Sequence, residues 1–161
     1  MKAADWIKKL NLLPHPEGGY YRETYRSSAT IPAGRFDKNR NVSTAIYFLL
    51  EEKNKSHFHR IKSDELWFFH EGAALEILML DEAGLKIVLL GKNAEAGESL
   101  QAIVPAHTWF AARLRDQKDF ALVSCTVAPG FEFADFELGK KQDMKKRFPQ
   151  YEKLLDEMCI N

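Results

Sequence analysis

A chain of 161 residues, 45% apolar and 29% charged, is long enough for one domain with a full core and reads as an ordinary soluble globule. Lys plus Arg total 23 and Asp plus Glu total 23, so the formal net charge is zero, which gives no support for a nucleic-acid footprint or an anionic membrane surface as partner. No apolar run approaches the length of a transmembrane helix, and Lys8 and Lys9 lie in an amphipathic stretch unlike a secretory leader.

Trp6, Ile7, Leu10 and Leu13 fall at helical spacing and predict a short amphipathic helix over 3–13. Pro14-His15-Pro16-Glu17-Gly18-Gly19 ends it. Residues 20–25 then alternate, with Tyr21, Glu23 and Tyr25 on one face, as a strand does. Residues 27–41 are polar, contain Pro32 and Gly34, and read as a loop. From Val42 onward short β-like runs follow one another: Val42–Leu50, Ser56–Ile61, Glu65–His70, Leu75–Leu80, Leu85–Leu90, Leu100–Val104, Trp109–Leu114 and Phe120–Ala128. Turn signals at Glu71-Gly72, 81–84 and 91–97 separate several of them, a pattern that predicts an antiparallel sandwich or barrel. After Pro129-Gly130 the tail over 140–159 regains helical periodicity, broken once at Pro149. The expected architecture is therefore a single all-β domain over 1–161, with a barrel over about 20–136, a short N-terminal helix and a C-terminal helical tail. Cys125 and Cys159 lack CxxC spacing and read as free thiols of a reducing cytoplasm, Cys125 as a small buried strand residue.

The most chemical stretch is Ser56-His57-Phe58-His59, followed by Asp64-Glu65 and Gly72. Two histidines two apart on a regular strand share a face, and a carboxylate follows one hairpin later. That set suits either a divalent metal, through His57, His59 and Glu65, or a proton-transfer pair, His59 with Glu65. Alternation also places Glu65, Trp67 and Phe69 on one face of the following strand, making a cavity with an imidazole, a carboxylate and an indole wall. Such a mix suits a sugar or other small polar ring. Tyr21, Arg22 and Glu23 are placed at the barrel mouth, where Arg22 can clamp a phosphate or carboxylate, or else pair with Glu23 across strands. His15 and His70 are assigned to surface or loop roles. Trp109 is read as core. Gly18-Gly19 lacks the Lys-Ser/Thr ending of a phosphate loop and reads as a tight turn.

The order His57-x-His59, Glu65, Gly72, Gly97, Pro105 resembles the two sequence motifs of the cupin superfamily. Glu65 and Gly72 keep the six-residue gap of the first motif, whereas His59 and Glu65 are separated by five residues, one more than the pattern. The second motif departs further: His107 replaces its glycine, and Phe110 stands where the fourth metal ligand would fall. Leu12-Leu13-Pro14-His15-Pro16-Glu17-Gly18-Gly19-Tyr20-Tyr21-Arg22-Glu23-Thr24-Tyr25 is similar to the opening of a single-domain family of unknown function called cupin five. So are Phe58-His59-Arg60, Ser63-Asp64-Glu65-x-Trp67, Val104-Pro105-Ala106 and Ala128-Pro129-Gly130-Phe131-x-Phe133-x-Asp135-Phe136. The resemblance implies a jelly-roll β-barrel, a homodimer formed by sheet exchange, and kinship with sugar-nucleotide epimerases. It makes His59 the regular histidine and His57 an occasional extra.

Three functions follow as expectations. The first is a metal-independent isomerase or epimerase acting on a sugar, sugar phosphate or nucleotide sugar, with His59 and Glu65 catalytic and Tyr21, Arg22, Trp67, Phe69 and Phe110 binding substrate. The second is a metal cupin holding one divalent ion through His57, His59 and Glu65, with His107 as a substitute ligand. The third is a non-catalytic small-ligand binding protein.

Overall fold

The computed structural model describes Met1–Asn161. Its elements in chain order are α1 (Ala3–Leu10), β1 (Leu13–Pro14), β2 (Tyr20–Arg26), β3 (Thr30–Ile31), β4 (Arg40–Asn41), β5 (Thr44–Glu51) and β6 (Lys55–Arg60). There follow β7 (Asp64–Gly72), β8 (Leu75–Asp81), β9 (Gly84–Leu90), β10 (Gln101–Val104), β11 (Trp109–Leu114), β12 (Phe120–Ala128), β13 (Glu137–Leu138), α2 (Lys141–Arg147) and α3 (Glu152–Met158).

Alternating apolar residues on these strands need a second layer to bury them. They find it in each other. A six-stranded sheet ordered β1-β2-β5-β12-β7-β10 faces a five-stranded sheet ordered β13-β6-β11-β8-β9. Phe48, Trp67, Val123 and Cys125 from the first meet Ile77, Met79 and Phe110 from the second in one buried cluster. Each such large side chain taken from water contributes roughly 1.5–3 kcal/mol. The outer face of the smaller sheet buries Phe58, Leu78, Leu80 and Trp109 under Met144, Phe148, Leu155 and Met158 of the helical tail. The outer face of the larger sheet packs Leu49 and Leu122 against Leu12 and the Trp6, Ile7 and Leu10 stripe of α1. The fold is thus all-β with peripheral helices, as the strand spacing and resemblance predict.

Two expectations about boundaries need correction. The first helix ends at Leu10 rather than residue 13, because Asn11 adopts left-handed geometry (φ 52°) and turns Leu12 under the sheet. The polar 27–41 segment is not wholly irregular: β3 and β4 pair within it. Both strands are two residues long, too short to show a periodicity.

That segment also delivers a charge to the interior. Arg40 is 2% exposed and donates to both carboxylate oxygens of Asp135, from Nε at 2.7 Å and Nη2 at 2.8 Å. It also pairs with Asp37, donates to the carbonyls of Lys38 and Asn39, and lies 5.0 Å from the Phe36 ring centre. Asp135 sits in the Phe131–Phe136 connection after β12. The ion pair therefore ties that connection to the β3–β4 segment. Removing one partner strands a buried charge, so Asp135→Ala should cost about 3 kcal/mol in urea unfolding. Asp37→Ala, at an exposed carboxylate, should cost clearly less; equal losses would count against the buried pair as the anchor.

Candidate acid–base cavity

The two sheets do not close completely at the end occupied by Glu65 and Val127. Directly paired residues of neighbouring strands share a face. Val127 is opposite Thr44 on one side and Glu65 on the other, and Cys125 is opposite Ile46 and Trp67. This puts Thr44, Ile46, Cys125, Val127 and Glu65 on the inner wall of a cavity, with Tyr21 beside them. His59 and Ile61 line the facing side, and Phe131 and Phe136 roof it. The space, open mouth included, is about 460 Å³.

His59 reaches this cavity through an irregularity in β6. Phe110 of β11 pairs with His59 and Ala112 with Ser56, so two residues of β11 span three of β6. Such a bulge breaks the two-residue alternation. Ser56 and His59 both turn inward, while Phe58 turns out into the cluster beneath the helical tail. His57 does not join them. Its Nδ1 donates to the Glu17 carbonyl (2.7 Å), and it is absent from the cavity wall. The expectation that His57 and His59 act as one metal-facing pair is therefore wrong.

The partner of His59 is Glu17, from the turn between β1 and β2. Glu17 is 6% exposed. Ser56 Oγ donates to its Oε1 (2.8 Å), and His59 Nε2 lies 2.8 Å from its Oε2. The loop carrying it lies against β6, with His57 N donating to the Glu17 carbonyl at 2.8 Å. Only glycine permits that approach at position 18, where φ is +109° and a Cβ would sit 1.9 Å from the Lys55 carbonyl oxygen.

The protonation pattern follows from these contacts. His59 Nδ1 lies 2.7 Å from the His57 carbonyl, which can only accept, so Nδ1 carries a proton. Nε2 faces a carboxylate. Burial opposes charge on His59, but attraction to Glu17 and their hydrogen bond outweigh it and raise its pKa. Burial likewise opposes charge on Glu17, and attraction and hydrogen bonding from His59 overcome it and lower the pKa. The pair is an imidazolium and a carboxylate. His15, with its Nδ1 3.7 Å from Glu17 Oε2, is held below its ordinary pKa chiefly by burial.

Glu65 differs. It is 8% exposed and forms no ion pair. Burial first, and repulsion from Glu17 second, push its carboxyl up to about 7 against a partial offset from His59. Its near neighbours are the Cys125 thiol and the Trp67 indole, whose N–H is buried without a well-formed hydrogen bond. Cys125 is in turn pushed well above the usual thiol range by burial and by Glu65, so it stays protonated.

Of the residues read from sequence as substrate-binding, Tyr21 lines the cavity and the others do not. Trp67 and Phe110 are buried within the core, ring centres 6.4 Å apart, and Phe69 packs against the same core. Arg22 follows an inward-facing Tyr21, so alternation sends it outward, where Nη1 donates to the Leu10 carbonyl (3.2 Å). It does not pair with Glu23, whose carboxylate binds Arg26 at 2.6 Å. His107 is exposed at a left-handed turn position (φ 65°) between β10 and β11, away from the cavity. His15, assigned to a surface or loop, has its side chain 7% exposed and lines the cavity with its edge against Tyr21 (4.5 Å). Glu17, Phe131 and Phe136 are visible in the sequence only as members of the two family-like stretches around Pro16 and Pro129.

Two facing antiparallel sheets that enclose an inward histidine and glutamate between them define a cupin-type jelly roll. The chain belongs to the family described as Cupin superfamily (DUF985), cupin five, whose model matches residues 4–139. It is 31% identical to an uncharacterised protein of Saccharomyces cerevisiae, YML079W, over 92% of this chain and 79% of that protein. Its structure is similar to a hypothetical protein from Leishmania major, with TM-score 0.91, 36% identity and full coverage of both chains. A Shewanella oneidensis protein is equally similar in structure (TM-score 0.91, 38% identity, 99% of this chain and 98% of that one). Bacillus subtilis oxalate decarboxylase shares the fold alone, at TM-score 0.54 and 16% identity over 90% of this chain and 36% of that one.

The metal of the wider superfamily is not accommodated by these side chains. No group of three or more His, Cys, Asp or Glu side chains is arranged to hold an ion. His57 is turned to a carbonyl, both nitrogens of His59 are engaged, and Phe110 occupies the fourth-ligand position in the core.

Glu17→Gln removes the charge that sustains the imidazolium. The expected result is a His59 pKa lower than in the unaltered protein by NMR titration and a stability loss of about 3 kcal/mol. An unshifted His59 would show that the pair is not coupled. The cavity also sets a pH profile. Glu65 titrates near 7 when folded against 4.5 otherwise, so its ionisation removes stability as pH rises between those values. His59, raised, loses its contribution above its folded pKa, whereas Glu17, lowered, loses its own only in acid. Stability should thus fall between about pH 4.5 and about pH 7, and Glu65→Gln should abolish up to about 3 kcal/mol of that fall.

Proposed function

We propose that this cavity is an acid–base site that moves a proton at a carbon beside a carbonyl in a small polar ligand, the chemistry of an isomerase or epimerase. One observation carries the reading: Glu65 faces the cavity buried and unpaired, with a carboxyl pushed up to about 7. A carboxyl tuned close to neutral pH serves as both acid and base.

The roles differ from those expected of the pair by sequence. His59 is already doubly protonated, with its two N–H groups committed to His57 and Glu17. It is a fixed positive charge rather than a free base. Glu65 takes or returns the proton, beside the Glu17–His59 ion pair, whose imidazolium is already matched by its own carboxylate. Glu17, Ser56 and the His57 carbonyl hold the imidazole in place. Tyr21, Phe131 and Phe136 line the cavity with aromatic surface suited to packing on C–H groups. Every group in this scheme belongs to the chain itself.

The test is hydrogen exchange. A panel of aldoses, ketoses, sugar phosphates and nucleotide sugars is incubated with the protein in deuterated water and followed by proton NMR. At least one compound should lose its signal at a carbon adjacent to the carbonyl. Glu65→Gln should slow that exchange by at least about a hundredfold while binding persists. Binding without exchange at any position would leave the cavity a binding pocket only.

A further inference from the structure

The charges around the cavity point to a particular ligand chemistry. No lysine or arginine is among its lining residues. The one cation on its wall, His59, is matched by Glu17 at 2.8 Å. That leaves Glu65, more than nine-tenths buried, lining the cavity and without a cation. Three aromatic rings line the same cavity, Tyr21 beside that wall and Phe131 and Phe136 in the roof. Phe131 and Phe136 stand 6.3 Å apart, and His15 bridges Tyr21 and Phe136 at 4.5 and 6.0 Å. A carboxyl and several aromatic rings around one small cavity make an arrangement suited to an ammonium group, because the ring quadrupole and the carboxylate both attract positive charge.

The mouth repeats the bias. An outer groove shares Tyr21, Thr44, Ile46 and Phe131 with the cavity and adds Glu23, Arg26 and Glu132. Arg26 is not a free anion clamp there. It binds Glu23 at 2.6 Å and Glu132 at 2.9 Å, and donates to Asn41 Oδ1 and the Phe131 carbonyl. Two carboxylates thus face one guanidinium whose donors are engaged. A phosphate or carboxylate entering by this route meets no unpaired cation.

We infer that the cavity takes a ligand bearing a positively charged amine, seated against Glu65 and the Tyr21–Phe131–Phe136 rings, and that it disfavours anions. This deepens the proposed function and rests on its reading of Glu65 as the group that meets the ligand. Within that reading the substrate is an amine-bearing carbonyl compound, and the incoming ammonium keeps Glu65 ionised and ready to accept a proton.

Three probes of nearly one shape separate the charges: tert-butylammonium, tert-butanol and pivalate. At about pH 8, calorimetry on the intact protein should show the ammonium binding at least about tenfold more tightly than the alcohol, with pivalate weakest. In the wild-type protein, carbon NMR should show the Glu65 carboxyl ionising at lower pH when the ammonium is present, a readout that needs no variant. Glu65→Gln, checked for folding by circular dichroism, should erase the preference for the ammonium. Equal binding of ammonium and alcohol, tighter binding of pivalate, or an unmoved Glu65 signal overturns the inference. Exchange on a neutral sugar with no ammonium preference would remove this inference and keep the proposed function. Ammonium binding without exchange on any carbonyl compound would do the reverse.

Discussion

The interior of this protein is organised by one buried ion pair, Glu17 with His59. A carboxylate and an imidazolium both withdrawn from water each carry a large desolvation cost, recovered only when they meet at hydrogen-bond distance with their remaining polar atoms satisfied. Here they are. Ser56 supplies the second carboxylate oxygen with a donor, and the His57 carbonyl takes the second imidazole proton. The arrangement constrains two separate pieces of chain: the turn after α1, with the glycine that lets it approach, and the bulge in β6. Each would be unremarkable alone, and together they set the charge of the cavity floor.

A second ion pair holds the cavity's roof. The Phe131–Phe136 connection contributes two of the cavity's aromatic rings, and it has little regular structure of its own. Asp135 anchors it to buried Arg40, while Arg26 holds its other end through Glu132 and the Phe131 carbonyl. Aromatic surfaces on an irregular connection need such anchoring, because a backbone without ladder hydrogen bonds has few other restraints. The charged residues of the β3–β4 segment are thus part of how the site is shaped.

Against this well-compensated background Glu65 stands out. Its neighbours leave the charged form poorly supported, which costs stability above neutral pH and keeps the carboxyl reactive near it. Sites that depart from the pairing rules obeyed elsewhere in the same molecule are where function is expected. The imidazole nitrogens of His59 are committed to an internal carboxylate and a carbonyl, so neither is free for another partner.

Much was legible in the sequence because it depends on local periodicity. The strands from Trp109 to Leu114 and from Phe120 to Ala128 have the bounds that alternation predicts, and the flanking helices follow the 3.6-residue spacing of their apolar stripes. His59, Glu65 and Tyr21 follow from motif and alternation, and all three line the cavity. The pairing of His57 with His59 failed because alternation assumes a regular strand, and a bulge between Ser56 and His59 rephases the side chains without any sign in composition. Arg22, Trp67, Phe69 and Phe110 have the right chemistry for a ligand wall. Whether a residue on an inner face meets a cavity or its packed neighbours depends on how closely the facing sheet approaches, and that is a property of two surfaces together. Glu17 lies about forty residues from the strand it touches, in a segment whose sequence says only that it turns. Local sequence determined which elements form and which faces they bury. Tertiary structure alone decided which buried charges meet, because a charge partner contributed by a distant loop leaves no periodic trace in the chain.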